Sequence, residues 1–300
     1  MSYAAKILAD SISPDGVRLT TLEATFPRFI LAEVNTHRML SRNSASSRAI
    51  PTEKIIERVQ SDPFIPETFN KRVKGMGVGA PLGNQEACVK AWLHARDKSV
   101  QAAHILVDMD VDKSRVNRLL EPWLWHTAII SATEWENFFA LRCHPAAQPE
   151  FQIIAGMMRD AIAESSPEQL DYDDFHRPLV TREEIVAWAQ DKPVEELSSQ
   201  AEMTPVEFWN MISCSRCARV SYDKHNDDES LDSSLKRAER LIESGHLSPF
   251  EHVATPLAPE MFEGDDEVAL GEIFVGNFRG WLQARKMIAN EANFGALQTA

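Results

Sequence analysis

Apolar positions along the chain fall into short runs separated by polar, glycine-rich or acidic stretches. Val17 to Leu22 and Phe29 to Val34 are apolar, β-branched or aromatic, the pattern of a strand leading into a helix. A polar, basic stretch follows from His37 to Arg48 and ends at Ile50-Pro51. Residues 69–84 combine glycine with Lys71, Arg72 and Lys74 and predict a mobile loop. Asn84 predicts a helix cap. Beyond it Val89, Trp92, Leu93, Val100, Ala103 and Val107 recur at helical spacing, which assigns them to core packing. Residues 117–142 are dense in Leu, Trp, Ile and Phe and predict one or two buried helices, with Pro122 as a break or first-turn residue. Asp232 to Ser244 is helical in pattern, and Ile273 to Ile288 reads as a strand running into a helix.

The polar stretches set the organisation. Residues 159–206 are acidic and carry Pro167, Pro178, Pro193 and Pro205, which predicts short surface helices and connections. They divide the chain into a half at 1–160, a connecting segment at 161–206 and a half at 207–300, all compatible with one compact domain. Pro259 to Glu272 holds six acidic residues and no basic one, and reads as a solvated acidic loop.

Composition narrows the class. With 300 residues, 44% hydrophobic and 25% charged, the chain has the makeup of a soluble globular protein with a substantial core. Thirty-one Lys+Arg against 45 Asp+Glu give a formal charge of −14, which argues against a general DNA or RNA binder. A few clustered arginines still reverse the field locally. No run of about 18 apolar residues occurs, so no membrane span is expected. Met1 to Leu19 has no continuous apolar stretch of the secretory kind. Cys88, Cys143, Cys214 and Cys217 are too few for a disulfide scaffold, and the expectation is a reduced, cytoplasmic protein.

Three constellations could carry chemistry. His37 to Arg48 places three arginines, one histidine and four serines within twelve residues. Guanidinium forks with hydroxyls and backbone N–H groups suit an anion, although composition alone reads as a solvated basic loop. In the second, Asn137 and Arg142 sit among aromatic residues, and a half-buried Arg needs an anionic partner. Glu134, Glu136 or Glu150 is the plainer choice of partner, a ligand the sharper one. The third joins Arg219-Val-Ser221-Tyr222 to Gly245-His-Leu-Ser-Pro-Phe-Glu-His252. His246, Glu251 and His252 lack the i, i+4 spacing of a helical zinc site, so no metal is expected. Cys214-x-x-Cys217 has no second ligand pair and reads as two incidental buried thiols. Gly75-x-Gly77-x-Gly79 follows no strand and is a weak dinucleotide signal.

Together these segments resemble the flavin-dependent thymidylate synthases. That family's signature R-H-R-x-x-S-x-N-E-x-S-x-R-Y corresponds to Thr36 to Ala49, with His37, Arg38, Ser41, Asn43, Ser46 and Arg48 matching in register. Its R-x-x-x-P, N-F-L-x-L-R and H-A-Q-W-E elements correspond to Arg118 to Pro122, Asn137 to Arg142 and Ala146 to Glu150. Its A-R-V-S-Y and G-H-x-S-P-F-E-H elements correspond to Ala218 to Tyr222 and Gly245 to His252. In the family the last two come first; here they come last. The chain is therefore similar to a circularly permuted relative of the kind common in bacteriophage genomes. A loose match of Arg279 to Glu291 to the signature makes partial duplication the alternative. Either way two halves should share one active-site region, within a subunit or across subunits.

The resemblance implies an α/β (α+β) fold with helices around a curved mixed or antiparallel sheet, assembled as a homotetramer. It implies reductive methylation of dUMP, with methylenetetrahydrofolate as carbon donor and FAD, reduced by NADPH, as hydride source. Carried over, Arg48, Arg118 and Arg142 with Ser46 hold the nucleotide. His37, Arg38, Ser41, Asn43 and Asn137 line the flavin and folate face. Ser221, His246, Ser248 and Glu251 contact the flavin. His37, Arg38 and Arg142 are the expected catalytic set. The chain departs from the signature at Thr36, Ser44 and Ala49, and at Glu33 where a Gln is common. Gln283, Arg285 and Glu291 are candidates to resupply the lost groups. Glu33 accepts but cannot donate as an amide does, which motivates dCMP or hydroxymethyl transfer as an alternative. A flavin-free nucleotide-binding protein of the same fold is the non-enzymatic alternative.

Overall fold

The strand expected from Val17 is longer than its apolar run: β2 spans Arg18–Pro27. It pairs antiparallel with β1, Ala4–Ile12, a strand whose alanine-rich alternation gives little sequence signal. The computed structural model describes residues 1–75, 77–190, 203–220, 230–262 and 269–293. With β3 (Ser41–Ser44), β4 (Trp125–Ala132) and β5 (Glu168–Gln169), these strands form a sheet in the order β3-β4-β2-β1-β5. All neighbours are antiparallel except β5 on β1, so the sheet is mixed and surrounded by helices, as expected for the α/β (α+β) class.

β4 corrects the reading of 117–142 as helices. Pro122 lies in a 3₁₀ stretch, Asn117–Trp123, after which the chain extends as a strand lying between β3 and β2. A strand covered on both faces loses the polar alternation that marks strands, and its apolar run then resembles a buried helix. The β-branched Thr127, Ile129 and Ile130 are the residues that favour extension.

The register Leu22↔Ile130 and Ala24↔Ala128 sets Leu22, Ala24, Ala128 and Ile130 on one face. Onto that face packs α6, Pro149–Glu164, through Phe151, Ile154, Ala155 and Met158, a stripe at helical spacing. The other face carries Leu19, which packs with Ala254, Phe278 and Trp281 from the C-terminal part of the chain. This packing places residues near position 250 beside the N-terminal strands.

A second core assembles residues 52–123. α2 (Thr52–Ser61), α3 (Gln85–Asp108) and α4 (Lys113–Val116) bury Ile55, Val59, Val100, Ala103 and Val116 against Leu120 and Trp123. Asn84 caps α3 as expected, accepting from the Ala87 backbone at 3.0 Å. The stretch expected as a mobile loop is cross-linked: Lys71 N–H donates to Ala80 O (2.7 Å) and Leu82 N–H to Phe69 O (2.9 Å). α5 (Glu136–Arg142) follows β4, and α7 (Arg182–Gln190) and α8 (Pro205–Arg219) come later in the chain, α8 opened by a Thr204/Glu207 capping box.

The expected helix near 232–244 is α9, Leu231–Glu243. The expected strand-to-helix at 273–288 is instead three short strands and a single turn. β7 (Phe274–Val275) and β8 (Phe278–Arg279) form a hairpin, β9 (Trp281–Gln283) pairs with β6 (Ala254–Pro256), and α10 is Ala284–Met287. Gly276 at φ 67° forces the hairpin, and a Cβ there would stand 2.6 Å from Gln283 Oε1. Such a reversal within five residues erases the pattern of one long element. No described helix is long and apolar enough to cross a membrane.

Candidate functional site

β3 hydrogen-bonds to β4 on one side, and its side chains meet the 3₁₀ turn Ser248–Glu251 and the end of α8. Asn43 makes the junction. Its Nδ2 donates to Cys217 O (2.9 Å), and its Oδ1 accepts from Ser248 Oγ (3.2 Å). Signature residues and the G-H-x-S-P-F-E-H segment, some 200 positions apart, thus converge on one place. Gly245 aims the second segment. It sits at φ 70° after α9, with its N–H on Ile242 O (3.0 Å) and the His246 N–H on Leu241 O (2.8 Å). This left-handed helix stop turns the chain so that His246 and Ser248 follow directly at the junction.

Beside it opens a cleft of about 900 Å³. Asn43, Ser46, Arg48, His246 and Ser248 line it, five of the residues expected at the site. Lys113, Arg219, Arg237 and Arg240 line it too, with Asp112 as the single carboxylate among the described residues. Against a chain charge of −14 this is a strongly cationic surface. Of the basic residues, Lys113, Arg237 and Arg240 were missed by motif reading. For the two arginines a signal existed: 237, 240, 241 and 244 form one helical stripe beside the buried stripe of Leu231, Ser234, Leu235 and Ala238.

A second cluster lies on α5 and the chain following α1 (Leu31–Val34). Arg142 Nε donates to His37 Nε2 at 2.7 Å, and its guanidinium rests 4.5 Å above the Phe151 ring. Since His37 Nε2 accepts, its proton sits on Nδ1. Burial, then Arg142 and Arg42, push the His37 pKa down and keep the ring neutral. The internal salt bridge that was the plainer expectation for Arg142 is not made among the described residues. Glu134 pairs with Arg279 instead (2.6 Å). Arg42 Nη1 donates to His37 O (2.6 Å) and Val34 O (3.2 Å), tying the segment into a tight loop.

The remaining expected residues are dispersed. Arg38 and Asn137 are exposed. Arg118 pairs with Glu121 (2.8 Å) and does not line the cleft; neither does Arg142. Ser41 is buried, accepting from Gln283 Nε2 (3.1 Å). Glu251 accepts from Arg285 Nη1 (2.5 Å), whose Nε reaches Glu291 (3.0 Å). Of the C-terminal residues singled out as substitutes, Gln283 meets the signature residue Ser41 and Arg285 meets Glu251, while Glu291 pairs with Arg285. Ser221 lies outside the described residues. His246, Glu251 and His252 have separate partners: His246 bonds to Ser244 (2.9 Å), and the fully buried His252 to Ser131 (2.8 Å). Cys214 and Cys217 are buried, and burial raises both thiol pKa values, which makes them poor nucleophiles.

No curated protein matches the chain. Among solved structures, a UMP/dUMP methylase PolB from Streptomyces cacaoi, bound with 5-Br UMP or with 5-Br dUMP, superposes with a TM-score of 0.46 in both cases. Identity is 15%, and the overlap covers 54% of this chain and 89% or 90% of the other. The family model described as thymidylate synthase complementing protein matches residues 17–168, a span that holds the His37 to Arg48, Arg118 and Arg142 segments. With half its length so matched, the chain belongs to that family, the flavin-dependent thymidylate synthases its motifs resemble.

Proposed function

We propose that the protein methylates dUMP at C5 to give dTMP, using methylenetetrahydrofolate, NADPH and FAD. One observation carries this reading: the Ser248–Asn43 junction joins the signature to the G-H-x-S-P-F-E-H segment at a cationic cleft. Arginines, a lysine and serine hydroxyls suit the phosphates of a flavin dinucleotide or nucleotide, and about 900 Å³ lies within the range of small-molecule sites.

When bound, the flavin supplies the hydride chemistry. The chain's own residues bind and orient. In our reading Asn43, His246 and Ser248 face the flavin, while Ser46 and Arg48 face the nucleotide. Arg142 has its Nε on His37 and its plane on Phe151, so the guanidinium is held in place before an anion arrives. Its terminal nitrogens remain for a phosphate fork. His37, neutral and protonated on Nδ1, supports Arg142 without adding a competing charge. Because Arg118 and Arg142 do not line their own chain's cleft, we assign them to a site completed by a second copy in a homo-oligomer.

The purified chain is expected to show a flavin absorbance after addition of FAD, and to convert dUMP to dTMP by product mass spectrometry. A folded protein that takes up no flavin overturns this reading. Conversion of dCMP in place of dUMP shifts it to the cytosine nucleotide. Arg142→Ala is expected to weaken nucleotide binding about tenfold or more, since each bond to a charged phosphate contributes roughly 1.5–3 kcal/mol. Calorimetric titration with dUMP measures this, and unchanged affinity in a folded variant removes Arg142 from the site.

A further inference from the structure

The cleft is more cationic than the family segments make it. Arg48 comes from the signature and Arg219 from the A-R-V-S-Y segment, but Lys113 comes from α4 and Arg237 and Arg240 from α9, outside every matched motif. Asp112, the carboxylate among the described lining residues, is committed elsewhere: its Oδ1 accepts from the Ser114 backbone at 2.9 Å. The Ser114 side chain and backbone hold its carboxyl below the usual range, so it remains ionised as a cap.

The geometry of α9 concentrates the charge. Arg237 and Arg240 stand one turn apart on the stripe that faces the cleft. Arg237 Nη1 donates to Ser215 Oγ (3.0 Å), and Ser215 is fully buried in α8, which anchors one edge of the guanidinium. Arg240 Nε donates to Lys236 O of its own helix (3.2 Å), and Arg240 has no carboxylate partner among the described residues. Glu239 and Glu243 do not line the cleft; with Asp232 they line a neighbouring groove along α9 that Arg237 and Arg240 also border. A multivalent anion entering the cleft meets guanidinium and ammonium donors already in place.

We infer that Arg237 and Arg240, with Lys113 in the same cleft, hold a phosphoryl group of the ligand and are binding residues additional to the family signature. This rests on the cleft being the ligand site proposed above. The phosphoryl group has two sources, the flavin diphosphate or the 5′-phosphate of the nucleotide. The two differ in which ligand loses affinity when the arginines are removed.

The test uses the full chain and its R240Q, R237Q and K113Q variants, with folding checked by circular dichroism. FAD, FMN, riboflavin, dUMP, deoxyuridine and inorganic pyrophosphate are titrated at low salt. R240Q and R237Q are each expected to weaken the phosphate-bearing ligand about tenfold, and K113Q less, while its unphosphorylated counterpart binds as before. Loss confined to FAD identifies the diphosphate; loss confined to dUMP identifies the nucleotide. Equal losses for FAD and riboflavin, or unchanged affinities throughout, overturn the inference. Should the parent chain take up neither flavin nor dUMP, the proposed function fails on its own. Pyrophosphate then decides: binding that falls about tenfold in R240Q supports the phosphoryl site, and no binding overturns it. Arg240 is exposed, so R240Q carries the test even where R237Q, which loses its bond to Ser215, does not fold.

Discussion

Lowering the pH from about 7.5 to about 5.5 is expected to destabilise the fold by roughly 4 kcal/mol. The cause is three histidines that fold neutral. His126, His176 and His252 are at most 5% exposed, and burial pushes each pKa down to about 3. At His126 the neighbouring Arg28 adds to the shift, and at His252 His176 does. Two of them belong to one hydrogen-bonded chain that runs from Ser11 through His176, Thr21 and Ser131 to His252, with links of 2.9, 2.7, 2.6 and 2.8 Å. The unfolded chain binds protons at these residues once the pH drops below about 6.5, while the native state does not until near 3. Stability is therefore full above about 6.5, and each histidine removes about 1.4 kcal/mol per pH unit below it. Carboxylates such as Asp10, held low against burial by Arg18, add a loss of the same sign only at lower pH. Urea unfolding followed by circular dichroism at the two pH values measures the difference. A stability that does not change between them shows that the three rings are already charged in the native state. A folded His252→Asn variant is expected to reduce the pH slope by about a third.

Much of this molecule is legible where residue chemistry repeats locally. Asn84 before a helical pattern reads as a cap and is one; Gly245, read from the sequence only as part of a motif, stands just after the helical pattern at 232–244 and is a left-handed stop. Both follow from backbone groups that need partners at helix ends. The signature segment is legible for a similar reason, since its density of arginine and serine has no use in a core. What stays hidden depends on the tertiary environment. Trp125 to Ala132 reads as helical because both faces of β4 are covered, a fact about neighbours rather than about the residues. The Arg142 partner was open among three glutamates and a ligand. The His37 ring takes that place because α5 packs against the loop after α1, a meeting of positions 105 apart. Lys113 joins the cleft from a segment with no motif. The convergence of Asn43 with Ser248 was expected only in outline, as two halves sharing a site; the fold supplies the contact through Leu19 packing on Ala254 and Trp281.

Glu121→Ala is expected to cost about 3 kcal/mol and to weaken any ligand held by Arg48. One carboxylate oxygen, Oε1, accepts from Ser47 Oγ (2.8 Å), Arg28 Nε (2.9 Å) and Arg118 Nη1 (2.8 Å). Burial raises the Glu121 pKa, but Ser47, Arg28 and Arg118 outweigh it and hold the carboxyl below its ordinary range. The three donors are unequal. The Arg118 side chain is exposed, so its pair adds little, about 0–1 kcal/mol. The Arg28 side chain is only 9% exposed, and without Glu121 its buried charge keeps only His126 Nδ1 as a described side-chain partner, at 2.9 Å. Ser47 sits in the turn that carries Ser46 and Arg48, a turn also held by Asn117 Nδ2 on Ser47 O (2.8 Å) and Ile50 O (3.0 Å). Loss of Glu121 therefore acts twice, through the stranded Arg28 and through a loosened Arg48. Glu121→Gln keeps an acceptor for Ser47 and is expected to recover ligand affinity more than stability. In an Arg118→Ala background the cost of Glu121→Ala is expected to persist almost whole, because the exposed pair is the minor part of it. Paired urea unfolding and dUMP titration of the four variants measure both effects. A cost below about 1 kcal/mol for Glu121→Ala shows that Arg28 finds another partner and that Asn117 alone holds the turn.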